Sequence, residues 1–249
     1  MFRKLLKIAG ILALVIFIIV TLAFTSSESK DVLCGNIVIK FENDEIIQVN
    51  KNELIRLAKG ADNDVLNKKL TQINCETIEQ AVEKHEAILK AEVYTVIEKD
   101  SSSYKGVLAV RVKHREPVVR IMSETASYYL DEFGGKIPIS SNYSANVLAT
   151  TGYFSEKYAV EQLLPFVLFI ENDEFWQAQI EQIHIEKTGD ALLTPLVGDH
   201  IIEFGALDDY QKKLKKMKAF YQQVLARNNW NKYKTVSLKY NNQVIAKRR

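Results

Sequence analysis

The sequence predicts an α+β protein: a single N-terminal transmembrane helix, a small α/β module, then a mixed β domain with packed helices. Three observations predict it. An apolar run from Ile8 to Phe24, with Thr21 its one polar side chain, follows a short basic head. The next stretch reads strand, helix, helix, strand, strand, and a three-stranded sheet covered on one face by two helices is its simplest two-layer solution. From Pro117 onward strand patterns dominate, interrupted by two helical ones. At 249 residues and 47% hydrophobic, the chain can bury a core. A formal net charge of +2 implies no polyanionic partner such as nucleic acid.

With Leu5 and Leu6, the N-terminal run approaches the ~20 residues that a bilayer requires. Arg3, Lys4 and Lys7 precede it, whereas Glu28, Lys30 and Asp31 follow. The positive-inside rule then places residues 1–7 in the cytoplasm, the span at 8–25, and the remainder outside. The apolar run is longer than the ~7–15 residues of a signal peptide, which favours a retained anchor. Residues 26–35 read as a polar linker. Cys34 and Cys75 are too few and too far apart for a disulfide framework and read as two separate small apolar side chains.

The first module is placed at 36–116. Asn36 to Phe41 alternates as a strand. Val49 to Lys59 reads as a helix with Asn50 as N-cap and Gly60 as its stop. After Thr77, residues Ile78, Ala81, Val82, His85 and Ile88 recur at helical spacing. Strands at Leu89–Ile97 and Val107–Arg115 follow, joined by a loop KDSSSYKG. Val110 and Val112 share one side of the second strand and Arg111 and Lys113 the other, and Pro117 ends it.

The β domain is placed at 117–245, with a basic tail at 246–249. Strands are expected at Val118–Ser123, Tyr128–Asp131, Lys136–Ile139, Ile180–Glu186, Ala191–Pro195, His200–Phe204 and Thr235–Tyr240. Gly134 and Gly135 mark a hairpin, since glycine accepts positive φ at no steric cost. A helix from Ser155 to Glu171 contains Pro165, which should kink or divide it. Another helix, from Asp208 to Arg227, presents Lys212, Lys213, Lys215, Lys216 and Lys218, a face that reads as solvated.

Catalytic chemistry finds no home. No G-x-S-x-G or H-E-x-x-H occurs, and His114-Arg115-Glu116 lacks the later cysteine pair of a zinc deaminase. Glu171, Asp173 and Glu174 read as solvated carboxylates, and His200 as a surface histidine in a turn. No enzyme, cofactor, metal or small-molecule substrate is expected.

The layout resembles the FtsQ/DivIB family of bacterial cell-division proteins over nearly the whole chain. Val110 to Val118 (VRVKHREPV) resembles the family's strand ending E-R-x-P-V, and Tyr129 to Pro138 its L-V-D-x-x-G-x-V-F-P hairpin. Thr150-Thr151-Gly152 is similar to its L-T-G, Gly198 to Gly205 to its paired-glycine hairpin, and Trp230 to Tyr240 to its last strand. Ile78 to Tyr94 resembles the family's POTRA segment, with Glu86 and Ala87 in place of the usual proline and tryptophan. The resemblance implies a POTRA-like domain at 36–116 and a non-enzymatic inner-membrane scaffold of the divisome, located at the septum. It also implies FtsB/DivIC-like and FtsL-like partners, with the bilayer met through residues 8–25. An exposed last strand offers unpaired backbone groups to a partner strand. The expected contact residues are therefore Thr235, Val236, Leu238, Lys239, Tyr240, Gln243 and Val244, with Tyr240 matching the tyrosine of the family's L-R-Y. A POTRA-bearing component of an envelope export or assembly machine, or a membrane-anchored envelope hydrolase, are the alternatives.

Overall fold

The computed structural model describes residues 10–21, 32–42, 49–100, 103–140, 144–226, 230–241 and 243–249. Contacts divide the chain into two units, one running to His114 and the other from Arg115 to the C-terminus. Residues 10–21 are helical and exposed. Among the described residues no helix is long and apolar enough to cross a membrane, so the span expected at 8–25 is not seen as such. Its ends at 8–9 and 22–25, the tail 1–7 and linker residues 26–31 lie outside the described residues.

The first unit comprises β1 (Cys34–Phe41), α1 (Lys51–Ala61), α2 (Cys75–Glu83), β2 (Ile88–Asp100) and β3 (Ser103–His114). The sheet order is β1-β3-β2, with β3 parallel to β1 and antiparallel to β2. In β3, Val110 and Val112 are buried while Arg111 and Lys113 are exposed, as the period-2 pattern requires. The Asn50 side chain accepts from Asn52 N and caps α1, but the helix runs through Gly60 instead of stopping there. Asn74 caps α2 by accepting from Thr77 N, so this helix starts earlier than expected and ends before His85. Ile88 belongs to β2. Both β2 and β3 extend into the supposed loop, pairing as far as Asp100 with Ser103.

The β2 edge is partly closed from within. Glu79 and Glu83 of α2 accept the Val93 N–H at 2.7 Å and the Ala91 N–H at 3.1 Å. These outward donors would otherwise invite strand addition, and the two carboxylates stand where a partner strand's carbonyls would.

The second unit is built on a nine-stranded sheet among the described residues. Its strands are β4 (Val119–Ser123), β5 (Ser127–Leu130), β6 (Lys136–Ile137), β7 (Leu148–Gly152), β8 (Ile180–Ile185), β9 (Ala191–Pro195), β10 (Ile201–Gly205), β11 (Tyr233–Ser237) and β12 (Ile245–Arg248). Their order is β12-β11-β10-β9-β8-β7-β4-β5-β6. Two of these strands, β7 and β12, were not foreseen. The supposed basic tail at 246–249 is mostly the edge strand β12.

Helices α3 (Glu156–Tyr158), α4 (Leu164–Glu171), α5 (Glu174–Gln177) and α6 (Tyr210–Phe220) complete this unit. Pro165 does not end the helical run: it sits at the start of α4, directly after a π-helical turn at Ala159–Leu163 that joins α3 to α4 and widens the helix at the residue that cannot donate. Val119, Ile121, Leu148, Ile183, Leu193, Ile202, Phe204 and Val236 from the sheet pack against Leu163, Phe166, Ile170, Leu214 and Met217 from the helices. At the β5–β6 turn only Gly134 has positive φ, at 80°. Gly135 is needed for a different reason: a Cβ there would meet Arg115 Nη1, which is held by Asp131 at 2.6 Å. The other Asp131 oxygen accepts from Phe133 N and Gly135 N, so one carboxylate fixes both the turn and the entry of the chain.

Candidate partner-binding edge

The sheet's C-terminal edge is built by a reversal of the chain. β11 runs parallel to β10, and β12 returns antiparallel on its outer side, pairing Thr235 with Lys247, Val236 with Ala246 and Ser237 with Ile245. The exposed edge expected at Thr235–Tyr240 therefore lies at Ile245–Arg248, since β11 has a neighbour on each side. Its polarity can be assigned. The Leu238 N–H donates to Glu203 O at 2.9 Å, on the β10 side. Backbone groups alternate sides along a strand, so Thr235 and Ser237 turn theirs toward β12. Lys247 and Ile245 then point inward, and Ala246 and Arg248 point their N–H and C=O outward. At the far end, Arg249 N reaches Lys232 O at 3.2 Å and Arg249 Nη2 reaches Asp199 O at 2.8 Å, fastening the strand.

The expected contact residues separate into three groups. Val236 and Leu238 are fully buried and belong to the core, and Thr235 is half-buried within β11. Lys239 donates to Asp190 at 2.6 Å, a partner that raises the ammonium's pKa. Tyr240 stands 53% exposed at the start of the reversal. Gln243 is exposed, and Val244 packs against the core just before β12. The structure thus leaves Tyr240 and Gln243 exposed in the connection between β11 and β12 and turns Val236 and Leu238 inward. Sequence reasoning missed Ala246 and Arg248, whose run IAKR carries no alternation of its own.

The lysine face of α6 is not simply solvated. Lys213 is buried, donating to Ala206 O at 2.7 Å and to Asp208, whose carboxyl it holds below the usual range. Lys218 lies 3.7 Å from Asp173 and over the Phe175 ring at 4.6 Å. Asp173 also accepts from Phe175 N and Trp176 N, capping α5, so the carboxylate group near Glu171 has a structural use. Lys216 reaches Tyr240 O at 3.0 Å and Asn241 O at 2.9 Å.

His200 is buried, contrary to its expected place on the surface. Its Nε2 is hydrogen-bonded to Tyr221 Oη at 3.1 Å, and its Nδ1 is buried without a hydrogen-bond partner among the described residues. Trp176 and Trp230 pack on Tyr221 at 5.8 and 5.4 Å between ring centroids. Burial lowers the His200 pKa from 6.5, outweighing the opposing field of Asp199. The unfolded chain therefore binds this proton more readily, and stability is lost as pH falls below about 6.5 toward the depressed folded value. The urea midpoint of the full chain should drop from pH 7.5 to pH 5, and His200→Gln should shrink that drop. An equal drop in both proteins would place its origin elsewhere.

Among the described residues no group of three His, Cys, Asp or Glu could hold a metal ion. Cys34 and Cys75 are free thiols, and burial raises the pKa of both, the opposite of an activated nucleophile. His114 is buried and stacked on Phe41 at 4.8 Å. What the fold offers instead is an open strand edge, preceded by a connection that carries an exposed tyrosine. Residues 116–247, more than half of the chain, match the family model described as FtsQ/DivIB, C-terminal related. This chain belongs to the FtsQ/DivIB family. Residues 32–100 match a POTRA-like domain, a stretch that carries β1, α1, α2 and β2 and ends before β3. No curated protein matches the chain. FtsQ/DivIB proteins are cell-division proteins, and in this member the C-terminal match ends inside β12.

Proposed function

We propose that this chain is a membrane-anchored, non-enzymatic scaffold of the bacterial divisome. It links division proteins outside the cytoplasmic membrane, with its N-terminus in the cytoplasm, and works at the septum. An FtsB/DivIC-like partner adds a strand to β12, and an FtsL-like protein joins the same assembly. The observation that carries this reading is the open edge at Ala246 and Arg248, with the exposed Tyr240 in the connection that leads into it. Backbone hydrogen bonds along the edge supply affinity, and Tyr240 and Gln243 supply specificity. Family membership supports the division role, and the apolar run from Ile8 to Phe24 supports the anchor. The test is binding of the partner to the full chain carrying Ala246→Pro, which removes one outward donor. Undiminished binding would overturn the edge as the working element.

A further inference from the structure

We propose that Lys216 of α6 is the positioning residue that presents Tyr240 at the partner-binding edge. The inference rests on the strand-addition reading and assigns a role to a side chain outside the strands. The reversal from β11 to β12 is fixed at three points. Leu238 is buried and its N–H is bonded to Glu203 O, and Lys239 is tied to Asp190. The third point is Lys216, whose Nζ donates to the carbonyls of both Tyr240 and Asn241, at 3.0 and 2.9 Å. An ammonium carries three donors on a flexible stem, so one lysine can hold two successive carbonyls. Holding them sets the backbone on the C-terminal side of Tyr240, while Lys239 sets it on the N-terminal side.

The Tyr240 ring is then displayed from a restrained backbone, 53% exposed, with less ordering left to pay on binding. Lys213 and Lys218 cannot substitute, because they are held by Ala206 and Asp208 and by Asp173. The neighbouring glycine, Gly205, approaches Lys239 closely enough that a Cβ would lie 3.1 Å from its Cγ, so the preceding anchor is also sterically confined.

The experiment is a double-mutant cycle on the full chain with Lys216→Met and Tyr240→Ala, reading affinity for the FtsB/DivIC-like partner. Amide exchange at residues 240 and 241 is read alongside, without partner. Lys216→Met should weaken binding about tenfold, lose that effect in the Tyr240→Ala background, and speed exchange in the turn, with Lys216→Arg restoring part of each. An equal loss in both backgrounds would overturn the proposal by making Lys216 a general stabiliser, and so would unchanged exchange. If Tyr240→Ala alone leaves binding intact, the tyrosine contact fails. The exchange arm then still decides whether Lys216 holds the turn.

Discussion

Ala246→Pro should weaken partner binding by about 30-fold or more, the scale of an interface hot spot worth ~2 kcal/mol, while leaving the fold intact. The asymmetry between the two faces of β12 makes this specific. Ala246 turns its N–H away from β11, so proline there removes a donor that the folded chain does not use. Proline is tolerated on an edge strand in that orientation. Lys247 faces Thr235, and proline there should unzip β12 from β11 and lower stability as well as binding. The pair of variants separates loss of an edge from loss of a strand. Binding and thermal midpoint of the full chain should fall together for Lys247→Pro and part company for Ala246→Pro. If Ala246→Pro binds as well as the parent chain, strand addition at β12 is wrong.

Phe204→Ala should cost about 3–5 kcal/mol, the range for truncating a buried phenylalanine that leaves a cavity. Phe204 is fully buried in β10, with its ring 5.0 Å from Phe166 and 5.1 Å from Lys213 Nζ. It joins the sheet to α4 on one side and to α6 on the other, so the void cannot be closed by one small shift. The thermal midpoint should fall by about 10 °C or more. A fall of less than about 2 °C would mean that the sheet and helices are not packed through this side chain. Because β10 lies directly beside β11, the variant should also loosen the edge.

Much of this architecture was legible in local pattern. Val110, Arg111, Val112 and Lys113 announce a half-buried strand because a ladder puts successive side chains on opposite faces. Asn50 announces α1 because its side chain can satisfy an orphan donor. β7 escaped notice because Thr150, Thr151 and Gly152 look like loop, although parallel pairing with β4 and β8 makes them strand. The polar run at Ser103 and Tyr104 looks like loop for the same reason: its order comes from register with Lys99 and Asp100, not from hydrophobicity.

At the candidate site, the family's terminal motif points to Tyr240, which stands exposed, but the open edge lies one strand beyond the expected one. No Gly or Pro between β11 and β12 signals that the chain reverses there. β12 exists because its backbone finds β11, a nonlocal event that a basic run such as IAKR does not foretell. His200 and Lys216 share that limitation. Their partners, Tyr221 and the Tyr240 turn, are 21 and 24 residues away, and burial of a histidine or engagement of a lysine depends on them.

The most direct test of strand addition at β12 is amide exchange of the full chain with and without the FtsB/DivIC-like partner. The outward amides of Ala246 and Arg248 should exchange freely in the chain alone and become strongly protected on binding. The amides of Lys247 and Thr235, already in the ladder, should change far less. Protection that appears elsewhere in the second unit, with Ala246 and Arg248 still exchanging freely in the complex, would contradict it.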